Sequence, residues 1–131
     1  MDLVDLSEDT VRSALKHYEA LFARGDVEAI VAGFTDDVRV RYGAAAPFNG
    51  KTGLRQMLQR RFDGMRDYQL SKQLEFVCAP RIAASWTGTW IDRHTDTRMA
   101  IFGMEVLTVE NGKFCAWSAS VSTWRHDQAQ P

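Results

Sequence analysis

The chain has 131 residues, 45% of them apolar and 25% charged, a balance that suits one soluble globular domain. Its formal net charge is −1, and Lys and Arg gather into no long block, which argues against a nucleic-acid-binding surface. No run approaches the roughly 18 apolar residues of a membrane span.

Met1–Asp5 is acidic where a signal peptide would be basic, so a cytoplasmic setting is expected. Cys78 and Cys115 lack metal-type spacing and read as small reduced core residues, not as a disulfide.

Helices come first. Ser7 is an N-cap, Glu8 and Asp9 favour the positive end of the helix dipole, and Leu6 is placed to staple onto Val11. Val11, Ala14, Leu15, Tyr18, Leu21 and Phe22 form a helical stripe, and Gly25 ends it. Asp26 caps a shorter helix with Val27, Ile30, Val31 and Phe34 on its inner face. Thr35-Asp36-Asp37 turns the chain into a short strand, Val38 to Tyr42. Residues 43–50 read as a loop. A third helix carries Leu54, Met57, Leu58, Phe62 and Met65 at helical spacing. Arg55, Arg60, Arg61 and Arg66 share that region, interrupted by Asp63 and Asp67, and read as a solvated helix face.

Strands follow. Leu70, Leu74 and Phe76 lie in the first, which Pro80 ends. The others are Ile82 to Asp92, Arg98 to Val109 and Phe114 to Trp124, joined by hairpin loops at Arg93–Thr97 and Glu110–Gly112. The tail after His126 is polar and expected to fray. Helices followed by antiparallel strands make an α+β domain. Large residues occupy both strand parities, so one face can pack on the helices. The other would expose an apolar patch unless a second copy covers it, and a homodimer through the sheet is expected.

Glu105 is the most informative residue. It sits mid-strand, where one parity would aim its carboxylate into an apolar interior that disfavours the charged form. A two-residue loop at Thr95-Asp96 would place Trp86 opposite Glu105 and Trp90 opposite Ile101. A three-residue loop at Glu110–Gly112 would make Trp117 the other neighbour, and a two-residue Asn111-Gly112 turn would make it Ser118. The three-residue form is favoured, which sets Glu105 between two tryptophans. Trp86, Trp90, Trp117 and Trp124 are core, pocket wall or dimer seam, and their clustering in one sheet suits a flat, hydrophobic ligand. His94 lies in a hairpin and reads as an exposed turn residue, while His17 and His126 read as surface residues. There is no zinc motif, nucleophile elbow or Gly-rich phosphate loop.

Two strings carry a family resemblance. The run Tyr18 to Asp37, with Arg24-Gly25-Asp26-Val27 and Phe34-Thr35-Asp36-Asp37, and the run Gly103-Met104-Glu105 through Asn111-Gly112-Lys113-Phe114 to Trp117, resemble the nuclear transport factor 2-like superfamily. Within it the chain looks most like the SnoaL-type polyketide cyclase and ketosteroid isomerase branch. The resemblance spans about residues 7 to 125. It implies a cone (a cystatin-like α+β barrel), in which a curved antiparallel sheet wraps N-terminal helices around an apolar pocket.

The resemblance also implies site residues. The isomerase's oxyanion-hole tyrosine matches Tyr18, and its protonated aspartate matches Glu105, where cyclases hold the acid/base. The isomerase's base matches Tyr42, whose phenol, with a pKa of about 10, is a poor base at neutral pH. This departure argues against ketosteroid isomerase activity itself. The implied activity is cofactor-independent and metal-free proton transfer on an apolar carbonyl compound, catalysed by Glu105 and Tyr18. Tyr42, Phe62, Trp86, Trp90 and Trp117 would line the pocket. The rival reading is a ligand-binding or interaction module without catalysis.

Overall fold

The computed structural model describes residues 2–128, so all but three residues of the polar tail. The first helix, α1 (Glu8–Arg24), starts as its cap signals dictate: the Ser7 side chain accepts from the Thr10 N–H, and Gly25 ends it in the left-handed conformation at φ 64°. Its stripe from Val11 to Phe22 is buried. Each large apolar side chain buried there contributes about 1.5–3 kcal/mol before entropy is counted. Asp26 caps α2 (Val27–Val31) by accepting from the Ala29 N–H.

Phe34 does not extend α2 but opens β1 (Phe34–Tyr42), which also includes the expected turn at Thr35–Asp37. Its pairing register shifts between Phe34 and Arg39. The expected loop contains a two-residue strand, β2 (Phe48–Asn49), paired with Arg39 and Val40. Next comes α3 (Lys51–Asp63), and Met65 lies beyond it, at the start of β3 (Met65–Cys78). Three long strands complete the sheet: β4 (Arg81–Asp92), β5 (Arg98–Glu110) and β6 (Lys113–Arg125).

The strand order is β2-β1-β6-β5-β4-β3 in one curved, unclosed sheet. It is mixed and not wholly antiparallel, because β1 runs parallel to β6. That strand arrives from the helical layer and not through a hairpin, so nothing forces it to reverse. α1 packs on β3, and α3 touches both β1 and β3. The helices thus fill the concave side of the curl, and the apolar core sits there.

Strand parity sorts the residues. The concave face takes Tyr68, Leu70 and Lys72 from β3, Ile82, Ala84, Trp86 and Trp90 from β4, Ile101, Gly103, Glu105 and Leu107 from β5, and Trp117 and Ala119 from β6. On the convex face, Phe76, Met104, Val106 and Phe102 are 60, 48, 42 and 36% exposed. Cys115 is buried as expected, whereas Cys78 is exposed at the end of β3, and both thiols are free.

Both hairpins differ from their expected registers. At β4–β5, Asp92 N–H bonds to Thr97 C=O, so the loop is longer than Thr95-Asp96. Ala84 therefore stands opposite Glu105, Trp86 opposite Gly103, and Trp90 opposite Met99. At β5–β6, Asn111 (φ 52°) and Gly112 (φ 79°) form a two-residue turn. A bulge between Thr108 and Val109 then adds one residue on β6, so Ala119 faces Glu105, in place of Trp117 or Ser118. The bulge restores the parity that the short turn alone would have reversed, and Trp117 returns to the concave face.

Candidate active site

Glu105 is 4% exposed and points into the concave interior. Its cross-strand neighbours, Ala84 and Ala119, are small. They leave room for larger groups to reach the carboxylate diagonally. Trp117 Nε1 donates to Glu105 Oε1 at 3.0 Å. Lys72 Nζ donates to Glu105 Oε2 at 2.5 Å, with side-chain exposures of only 7% and 2%.

Lys72 was not anticipated, although the sequence held its signal. Tyr68, Leu70, Lys72 and Leu74 alternate along β3, and that period places the lysine on the inner face. Its ammonium lies 4.9 Å from the Trp86 ring and 5.8 Å from the Phe22 ring. Its backbone N–H donates to Glu19 Oε1 at 2.6 Å, which ties β3 to α1. Trp86 fits beneath it because position 103 is glycine: a Cβ there would come within 2.3 Å of the indole.

A cavity of about 30 Å³, room for one water molecule, touches Glu105, Lys72, Trp117, Tyr18 and Phe22. The Tyr18 hydroxyl is buried without a hydrogen-bond partner and lies against Gly33, where a Cβ would come within 1.7 Å of it. Burial pushes the Tyr18 phenol up to about 12, with the Asp2 charge adding to the rise. Tyr18 and Glu105 thus border the same small space.

A second group of phenols surrounds the carboxylate from the other side. Tyr42 packs edge-on against Trp117 with ring centroids 5.3 Å apart. Arg61 of α3 stands 4.6 Å from the Tyr42 ring centroid. Burial raises the Tyr42 pKa, Arg61 pulls part of that back, and Glu105 adds to the rise; its hydroxyl has no hydrogen-bond partner. Burial pushes the Tyr68 phenol up to about 12, again opposed by Arg61 and reinforced by Tyr42 and Glu105.

The arginines therefore do not share one solvated face. Arg55 pairs with Glu28 and Arg66 with Asp67 and Asp96, while Arg61 is half-buried against the Tyr42 ring. Among the remaining sequence candidates, Trp90 packs edge-on against Tyr68 at 6.1 Å, and Phe62 packs on Phe22 at 5.8 Å. Trp124 is half-buried and lines a groove on the convex face with Phe102 and His126. His94 is exposed in its hairpin, and its backbone N–H donates to Asp92. Among the described residues, no three His, Cys, Asp or Glu side chains gather as metal ligands would, and no helix is long and apolar enough to cross a membrane.

Residues 14–117 match the model of the SnoaL-like domain. The chain belongs to this family and to the nuclear transport factor 2-like superfamily that contains it. No curated protein sequence matches it. Among solved structures, it is similar to a putative polyketide cyclase from Xanthomonas campestris, at TM-score 0.73 and 19% identity over 82% of this chain and 87% of that one. It is also similar to SalBIII, an epoxide hydrolase/cyclase-like enzyme of pyran ring formation in salinomycin, at TM-score 0.72 and 18% identity over 89% and 98%. A third is a putative scytalone dehydratase from Novosphingobium aromaticivorans, at TM-score 0.67 and 15% identity over 92% and 87%. At these identities the likeness establishes the fold.

Two outcomes test this geometry. Lys72→Met leaves a buried carboxylate without its cation and should cost about 3–5 kcal/mol in denaturant unfolding, most of it recovered by adding Glu105→Gln. Wild-type stability in the single variant would refute the buried pair. The tyrosines give a pH test. Tyr18 and Tyr68 rise from 10.0 to about 12 on folding, so between those values the unfolded chain sheds protons the folded chain keeps. Stability should be unaffected below pH 10 by these groups and fall as pH rises from there towards 12. Tyrosinate absorbance should appear in step with unfolding; free titration near 10 in the folded protein would contradict the burial.

Proposed function

We propose that this protein is a small-molecule enzyme that transfers a proton without a cofactor. Its substrate is an apolar carbonyl compound bound in the concave interior, and the net reaction is an isomerisation, cyclisation or dehydration. The observation that carries this reading is the Lys72–Glu105 pair beside a cavity in an otherwise apolar interior. Exchanging a buried ion pair for apolar residues is often neutral or stabilising, so stability alone gives little reason to keep one. A buried carboxylate held by a specific charge partner beside a cavity is a candidate functional group.

In this reading Glu105 takes a proton from the carbon beside the carbonyl. Lys72 offsets the carboxylate's charge before transfer and stands near the negative charge that develops on the substrate. The unpartnered Tyr18 hydroxyl is the donor free to bond the carbonyl oxygen as it becomes an oxyanion. Trp117 and Trp86 hold the carboxylate and the ammonium in place and Tyr42 backs Trp117, while Trp90 and Phe62 pack on Tyr68 and Phe22 outside the cavity lining. The rival, a binding module without catalysis, draws on the small size of the cavity, about 30 Å³, which a substrate must enlarge.

We also propose that two copies associate through the convex face of the sheet, where Phe76, Phe102, Met104 and Val106 are exposed. A reducing, cytoplasmic setting fits the two free thiols.

A solvent-exchange assay tests the chemistry. Enolisable apolar ketones and esters incubated with the protein in D₂O should gain deuterium beside the carbonyl. Glu105→Gln leaves the Lys72 ammonium unpaired, so its folded state is checked by circular dichroism; the folded variant should exchange at least about 100-fold more slowly. Exchange at the wild-type rate in this variant would remove Glu105 from the mechanism, and wild-type protein that binds such compounds without exchange would favour the rival. For the assembly, sedimentation should give a dimer for the wild type and a monomer for Met104→Glu; a monomeric wild type would dispose of the interface.

A further inference from the structure

We infer that Arg61, with the hydroxyls of Tyr42 and Tyr68, forms an anion subsite, and that the substrate is an apolar carboxylic acid. This rests on the reading that the concave interior takes a small molecule, and it adds the charge that the molecule carries.

Most of the inward or half-buried basic groups are already neutralised: Lys72 by Glu105, Lys51 by Asp36 and Lys113 by Asp2. Among the described residues, Arg61 is the one basic side chain that is neither exposed nor paired with a carboxylate. A guanidinium gives up water to lie against an aromatic ring, and with no acid partner its five N–H donors outnumber the two phenol oxygens beside it.

Its position is set by the fold. α3 touches β1 and β3, two strands far apart in the sheet, and so bridges the two sides of the curl. Arg61 stands on that bridge, and its charge acts on Tyr42 of β1 and Tyr68 of β3 alike. Tyr42, Ala119 and Glu105 occupy one cross-strand row, so a single alanine separates the Tyr42 position from the carboxylate's. The Tyr42 hydroxyl is buried without a well-formed hydrogen bond, and the Arg61 guanidinium is the donor beside it.

Buried hydroxyls without partners are uncommon, because leaving one unmade costs free energy. A ligand carboxylate removes that deficit. It would accept from the Arg61 fork and from the phenols, whose oxygens also lie close enough to Arg61 to accept from it. Glu105 is the nearby negative group, and its charge is balanced by Lys72 and by the Trp117 N–H. An anion held at Arg61 would then direct its apolar, carbonyl-bearing body towards Glu105, past the small Ala119 side chain.

Paired probes test this without knowledge of the natural substrate. 2-Naphthoate and 2-naphthamide share one flat apolar body and differ in charge. Binding is followed by tryptophan fluorescence and by calorimetry. The wild type should prefer the naphthoate. Arg61→Gln should weaken naphthoate binding by about tenfold or more and leave the amide unchanged, and Arg61→Lys should restore part of the loss, since a charge-assisted hydrogen bond contributes on that scale. Equal affinities for the two probes, no binding of either, or an Arg61→Gln variant that binds the naphthoate as the wild type does would each overturn the inference. Glu105→Gln separates this result from the proton-transfer reading. It should abolish exchange yet keep the preference for the anion. Conversely, efficient exchange on neutral ketones by a wild type that binds naphthoate no more tightly than naphthamide would overturn the carboxylate subsite while the proton-transfer chemistry stood.

Discussion

Two opposite charges inside an apolar cone constrain everything around them. Lys72 and Glu105 lie on β3 and β5, with β4 between them, and both side chains are nearly free of solvent. Each would be expensive to bury alone, and their attraction offsets that cost only while the geometry is kept. β3, β4 and β5 must therefore hold their register. The contact of Glu19 with the Lys72 backbone holds α1 to the same strand that supplies the lysine.

Space near the pair is managed by small residues at fixed positions. Ala84 and Ala119 flank Glu105 across the sheet, and Gly103 lets the Trp86 indole lie flat under the Lys72 ammonium. A β-branched or aromatic residue at any of these three would compete for the volume that the tryptophans and the ion pair occupy. The concave face thus sets the Trp86 and Trp117 indoles among three minimal neighbours. This arrangement holds a carboxylate, an ammonium and several phenols close together without flooding them with water.

The two faces of the sheet obey different physics. Inside, large side chains find partners and the Lys72 and Glu105 charges are paired, while the Tyr18 and Tyr42 hydroxyls are left without a hydrogen-bond partner. Outside, the same strands carry Phe76, Phe102, Met104 and Val106 in the open, beside serines and threonines such as Ser118, Ser120 and Thr87. Reading β5 alone gives apolar residues on both parities, because Phe102, Met104 and Val106 alternate with Ile101 and Leu107. That ambiguity is why its registers had to be inferred from turns.

Local signals determined a good part of this protein. Ser7, Gly25 and Asp26 mark helix ends through hydrogen bonds made within a few residues, so α1 and α2 were legible as sequence. The strand periods of β4, β5 and β6, and the family pattern from Tyr18 to Trp117, gave the α+β class and singled out Glu105. What they left open was long-range. The Asp92–Thr97 loop and the bulge after Thr108 each move a strand by a residue or two, and no local propensity records such a shift. The consequence is that Ala119, and not Trp117, faces Glu105, while Trp117 still reaches it by a side-chain hydrogen bond. Lys72 was visible only as a charge in an apolar alternation. Its role depends on a carboxylate 33 residues away, and Arg61 acquires its setting from tyrosines on two strands that only the curl of the sheet brings near. Sequence sets what each segment prefers to be. Which charges meet in the dry interior is decided by register and curvature, which belong to the packed sheet as a whole.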